Sequence, residues 1–159
     1  MSFDLTVLPD RNLAYFRIRG DTAIAEGAQA FRDYVDHPLF DPNYTMLTSA
    51  SEVGDISASF TGIVMAVERL LPVFGSFHAP AHSIIHAPGD VAFGLARMIQ
   101  QLTEPLSGIR YTITRNESEA LQLAGQRERT MLQLNQHLAA AAGLPATPAS
   151  GMKVQSRIR

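Results

Sequence analysis

No cysteine and no tryptophan occur among the 159 residues. A disulfide framework, a thiolate-bound zinc and a thiol nucleophile are thereby excluded. Long apolar runs are missing as well. None approaches the ~20 residues needed to cross a bilayer, and residues 1–10 lack the basic and apolar pattern of a secretory leader. The expectation is a cytoplasmic protein that does not span a membrane. Nor is there an excess of basic charge, since 15 carboxylates stand against 13 Lys and Arg. Three of those cations (Lys153, Arg157, Arg159) and none of the carboxylates lie in residues 143–159, so the first 142 residues hold ten cations against all fifteen acids. Such a body carries no basic stripe to neutralise phosphates, the main source of non-specific nucleic-acid affinity. Nucleic acid is not an expected partner.

What the chain does have is 46% hydrophobic residues in a length suited to one core. Short extended runs alternate with helical ones. Phe3–Leu8 and residues 13–19 flank Pro9, Asp10, Arg11 and Asn12, which reads as two antiparallel strands joined by a turn. Gly20 is expected to end the second strand, with Asp21 or Thr22 capping a helix to about Val35. Pro38, Pro42 and Asn43 mark a loop. A third strand is expected over residues 45–49, then a polar connection over residues 50–59.

Helical periodicity is clearest in the next segment, where Phe60, Ile63, Val64, Val67, Leu70, Leu71 and Phe74 fall on one stripe. Ser83, Ile84 and Ile85, between Pro80 and Pro88, read as a buried strand. Asp90 is placed to cap a third helix, whose expected buried stripe is Val91, Leu95, Met98, Ile99 and Leu102. Residues 109–114 supply a fifth strand, and Asn116 with Glu119 has the spacing of a capping box for a fourth helix. The expected fold is therefore α/β, with a mixed, mostly parallel five-stranded sheet, about four helices and a C-terminal helical extension. Residues 1–124 form the expected domain, residues 125–142 an amphipathic extension of it, and residues 143–159 a disordered tail rich in Pro, Ala and Ser.

The run Ala87-Pro88-Gly89-Asp90-Val91-Ala92-Phe93-Gly94-Leu95-Ala96-Arg97-Met98, followed by the strand over residues 109–114 and by Glu119-Ala120-Leu121, resembles the SpoIIAA-like branch of the STAS domain family. The order of elements agrees over about residues 3–124. This resemblance implies the SpoIIAA/STAS-like fold and two kinds of role. One is a non-catalytic regulatory domain acting through a protein partner, switched in some members by phosphorylation of a Ser at the start of the second helix. That is the expected role, and the alternative, from a related lipid-transfer fold, is a carrier or sensor of a small apolar ligand. By position Ser57 matches the phosphorylatable residue, with Ser59 second. Both are also plain helix-cap candidates, and a helix N-terminus accommodates either a cap or a phosphate. Thr61, Gly89, Asp90 and Phe93, at the starts of the second and third helices, are the candidate ligand or partner surface. A carrier further requires that the space between helices and sheet not be filled by Phe60, Val64, Val67 and Met98.

No catalytic set, cofactor or metal is called for. His78, His82 and His86 recur every fourth residue, but on extended chain His82 and His86 stand roughly 13 Å apart, too far for one ion. Phosphate-binding glycine motifs and a nucleophile elbow are absent. Met131, Leu132, Leu134 and Leu138 give residues 125–142 an apolar face that needs a surface to cover it. Packing on the same subunit is one solution. A homodimer formed through residues 125–142 is the preferred one, because the sheet and four helices already make a complete core.

Overall fold

The computed structural model describes residues 2–77 and 80–143. Strands β1 (Phe3–Leu8) and β2 (Leu13–Ala23) form an antiparallel hairpin. The turn between them is a single 3-10 turn, Pro9–Arg11, closed by Asn12 in the left-handed region at φ 50°, which Asn tolerates better than most residues. From β2 onward each strand lies parallel to the one before it: β3 (Thr45–Ser57), β4 (His82–His86) and β5 (Arg110–Thr114) follow in spatial order. Helices α1 (Ile24–Val35), α2 (Phe60–Phe74) and α3 (Asp90–Ser107) make the crossovers. Two more, α4 (Glu117–Leu123) and α5 (Met131–Ala141), follow β5. The mixed, mostly parallel five-stranded sheet expected from the alternating pattern is the one observed.

Strand alternation divides the core between the two faces of the sheet. Ala14 and Phe16 on β2 and Met46 on β3 point to one face, where they pack with Ala30 and Tyr34 of α1 and Phe74 of α2. Leu13, Tyr15, Leu47 and Ile84 point to the other, where Ala120 and Leu121 of α4 and Met131 and Leu134 of α5 cover them. The apolar stripe of residues 125–142 thus finds its partner surface on this chain's own sheet. Burial of Met131 and Leu134 there answers the need from which the homodimer was inferred.

A charged clamp ties this layer down. Arg11, in the β1–β2 turn, donates from Nη1 to Glu128 at 2.5 Å and to Gln126 at 2.9 Å. Glu128 is only 4% exposed. Burial pushes its carboxyl up, but the hydrogen bond and charge of Arg11, with a smaller contribution from His137, outweigh that and hold the pKa low.

Three boundaries differ from the expectation. Gly20 does not end β2: at φ 70° it lets the strand turn and continue to Ala23. The polar connection over residues 50–59 is instead mostly strand, since β3 runs to Ser57 and pairs with the prolonged β2. The register shifts twice along this ribbon, between Arg17 and Arg19 and between Gly20 and Thr22, with one extra β3 residue each time. Such bulges break the alternation and bend the ribbon. Gly54 permits the close approach that holds it, for a Cβ there would collide with the Asp21 carboxylate, which accepts the Asp55 N–H at 2.9 Å. Asp21 is therefore a ribbon brace rather than the α1 cap, and the first backbone N–H of α1's capping residue, Ala23, is taken by Glu26 at 2.8 Å.

Candidate functional site

The helices of the α1–α3 layer meet the sheet through small residues. Gly27 and Ala28 on α1, Ala66 on α2, and Ala92 and Ala96 on α3 all face inward. Alanine leaves volume where leucine would fill it, and the layer does not close on the strands. The result is a cavity of about 210 Å3 between sheet and helices. Its floor is Ile18, Thr48, Ala50, Ser83, Ile85 and Tyr111, one side of strands β2 to β5. Phe31, Ile63, Val67, Leu70, Leu95 and Ile99 make its walls. Thr22, Ala23 and Ile56, on the bent β2–β3 ribbon, close one end.

Burial supports the same description. Ile85 and Thr48 lie on inner strands beneath a helical layer yet are only half-buried, as are Val67, Leu95 and Ile99 on the helices above. Side chains so placed are half-exposed because they border open space.

The second and third helices are rotated relative to their expected stripes. Phe60 is 68% exposed, Val91 66% and Met98 36%. On α3 the inward positions are Ala92, Leu95, Ala96, Ile99 and Thr103. Of the four residues able to occupy the space, Phe60 and Met98 therefore point outward, Val64 is half-buried, and Val67 lines the cavity without filling it.

The candidate residues at the two helix starts occupy distinct settings. Ser59 is the α2 N-cap, its Oγ accepting the Gly62 N–H at 3.0 Å. Ser57 is the exposed last residue of β3, paired with Ala23. Thr61 is exposed in the first turn of α2. At α3 the capping position is Gly89, and Asp90 is the first helical residue. Asp90 instead accepts from Arg115 at 2.7 Å, and the same guanidinium lies 4.4 Å from the centre of the Phe93 ring. Phe93 and Ile56 pack against one small cluster formed by Ala50, Ala87 and Ala92. The end of β3 and the start of α3 thus border a common apolar patch next to the cavity, while the Ser59 hydroxyl is taken up by its cap.

His82 and His86 point to the opposite side of the sheet from the cavity, as expected for alternate positions on one strand. His82 Nε2 bonds the Thr112 hydroxyl at 2.8 Å, and His86 Nε2 bonds the Arg115 carbonyl at 3.2 Å. Donation to that carbonyl places the proton of neutral His86 on Nε2 and leaves Nδ1 as a bare acceptor. His86 is 3% exposed and its Nδ1 has no partner. Desolvation pushes its pKa below the ordinary imidazole value against weaker opposing contributions from the Arg115 carbonyl and Glu117. His82 is lowered by burial and by the Arg110 charge. His78 lies outside the described residues.

On the same face of the sheet, Tyr15 of β2 donates its hydroxyl to Asn135 Oδ1 at 2.8 Å, which joins the sheet to α5. Burial pushes that phenol up to about 12.

The cavity's polar floor, Thr48 and Ser83, was not among the residues singled out by sequence. The signal available was the run of Ala and Gly at inward positions of three successive helices, which reads equally well as tight packing. No helix among the described residues is long and apolar enough to cross a membrane.

No family profile and no curated protein matches the chain. Among solved structures, it is similar to an uncharacterized protein of the DUF3478 family from Shewanella loihica PV-4, which is described as having a SpoIIAA-like fold. The two share 12% identity with a TM-score of 0.48, over 77% of this chain and 91% of that one.

Proposed function

We propose that this protein binds a small apolar molecule between its sheet and the α1–α3 layer, as a carrier or sensor. The observation that carries this reading is the cavity of about 210 Å3 with no charged residue in its lining. Apolar cavities near 150 Å3 already admit benzene, so there is room for an aromatic ring with a short substituent. Folding has left this volume open although Phe60 and Met98, one turn from inward positions, were available to occupy it. Emptiness of this size costs stability in proportion to the packing forgone, and occupation by a ligand offsets it.

Native mass spectrometry of the purified protein, together with thermal unfolding in the presence of ethylbenzene, tests the proposal. The wild type is expected to retain an apolar mass or to be stabilised by ethylbenzene. Ala66→Phe, which fills the cavity from α2, is expected to lose both responses. A wild type that shows neither response would sink the reading.

A second reading has its own observation, the exposure of Phe60 and Val91 at the α2 and α3 starts. Large apolar side chains at the helix starts suit a protein partner, with Ser57 nearby in sequence as the site of a phosphate switch. Pull-down with wild type, Ser57→Ala and Ser57→Asp tests it. Equal capture by all three removes the switch.

A further inference from the structure

We infer that the cavity selects uncharged molecules carrying one hydroxyl or carbonyl group, held by the hydroxyls of Thr48 and Ser83 on the sheet floor. This rests on the reading that the cavity binds an apolar ligand and adds the chemical class of that ligand.

Five lining residues carry hydroxyls: Thr22, Thr48, Ser83, Thr103 and Tyr111. Two are committed within the protein. Ser2 donates to the Thr22 hydroxyl at 2.7 Å, and that hydroxyl in turn faces Glu26 at 3.2 Å. Thr103 donates to the Ile99 carbonyl at 2.8 Å. Thr48, Ser83 and Tyr111 remain, and of these Thr48 and Ser83 lie on the two inner strands of the floor, β3 and β4. They sit on adjacent parallel strands, Ser83 opposite Met46 and Thr48 two residues further along β3, so the two hydroxyls are diagonal neighbours on one face. Each can both donate and accept. Together they can engage a ligand alcohol or carbonyl at the floor while its apolar body lies among Phe31, Val67, Leu95 and Ile99.

Charge is selected against by the rest of the lining. No Lys, Arg, His, Asp or Glu borders the space. A carboxylate or ammonium placed there would give up its hydration with no opposite charge to replace it, which is far more costly than burying a bonded hydroxyl. Volume supplies the other limit, a ring or short chain with a few further heavy atoms.

Three matched probes separate the possibilities: ethylbenzene, 2-phenylethanol and phenylacetate, titrated at pH 7 by calorimetry or ligand-observed NMR. 2-Phenylethanol is expected to bind at least about 100-fold more tightly than phenylacetate. Thr48→Val and Ser83→Ala, singly and together, are expected to weaken 2-phenylethanol by roughly 3- to 10-fold per lost hydrogen bond. Ethylbenzene affinity should stay the same or improve. Both substitutions nearly preserve volume, and unchanged unfolding midpoints would show that the floor is intact. If Thr48→Val destabilises the sheet, Ser83→Ala alone carries the comparison.

If ethylbenzene binds and 2-phenylethanol is indifferent to the variants, or phenylacetate binds as tightly as the alcohol, the selectivity is wrong while the cavity reading stands. If no probe binds, both are overturned.

Discussion

Glu128 and His86 are each nearly fully buried, and each keeps its place by a different electrostatic device. Glu128 stays charged, against the effect of its burial, because Arg11 faces it at 2.5 Å. Arg11→Ala leaves the buried carboxylate with only the more distant His137 at 3.6 Å and Arg127 at 4.0 Å, and is expected to cost about 1–3 kcal/mol in urea unfolding. His86 stays neutral because a proton on Nδ1 would add a buried donor with nothing to receive it.

The pH signs follow from the shifts. Glu128 has a folded pKa below its unfolded one. Its stabilisation is present above the ordinary carboxyl value of about 4.3 and is lost as pH falls below it. His82 and His86 are also lowered, so the unfolded chain takes up their protons first. Their contribution is complete above about pH 6.5 and falls as pH drops from there. Urea midpoints measured from pH 8 to pH 3 should therefore show two declines. The doubly substituted His82→Gln, His86→Gln protein is expected to lose the upper decline and keep the lower. An unchanged upper decline in that variant would assign it elsewhere.

Among the elements, boundaries were legible wherever one local signal acted alone. The turn at Pro9 to Asn12 isolates β1. The α2 stripe, bounded by Ser59 and Gly75, marks its extent from Phe60 to Phe74. The Asn116 cap opens α4, accepting the Glu119 N–H at 3.1 Å. The β2–β3 ribbon was not legible. Its residues after Ser49 are mostly polar, Gly20 reads as the end of a strand, and two bulges destroy the alternation by which a strand is recognised.

Helix rotation was misjudged for a related reason. A stripe of large apolar residues suggests the buried face, but on α3 the cavity side is carried by Ala92 and Ala96, so Val91 is left outside. At this scale Ser59→Ala, which removes the α2 cap, is expected to lower stability by about 1 kcal/mol. Ser59→Asp should retain most of it, because a carboxylate can accept the same Gly62 N–H. Urea denaturation of the two variants makes the comparison, and equal losses would show that the cap contributes little.

In the whole molecule, the two sides of the sheet are used differently. The α4–α5 side is filled: Leu13, Leu47, Ile84, Leu121 and Leu134 are fully buried there. The α1–α3 side keeps a void. Truncations should report that difference. Leu134→Ala on the filled side is expected to cost about 2–5 kcal/mol by opening a new cavity. Val67→Ala, beside space that already exists, should cost less than the same truncation in a closed core. A larger loss for Val67→Ala in thermal or urea unfolding would mean that the α1–α3 side is packed shut in solution.

Taken alone, the sequence determined the class of the fold, the order of its elements and the acidic, cysteine-free character of its body, because periodicity, turn residues and charge are local properties of a chain. Candidate residues at the starts of α2 and α3 could also be read there, including Ser59 as a cap. Only tertiary structure decided that the α5 stripe covers this chain's own sheet, that the polar stretch after Ser49 is a bent strand, and that alanines on three helices leave about 210 Å3 open above Thr48 and Ser83. Each depends on how far apart two elements settle when they pack. An alanine may mark a tight contact or a gap, and its identity is the same in both.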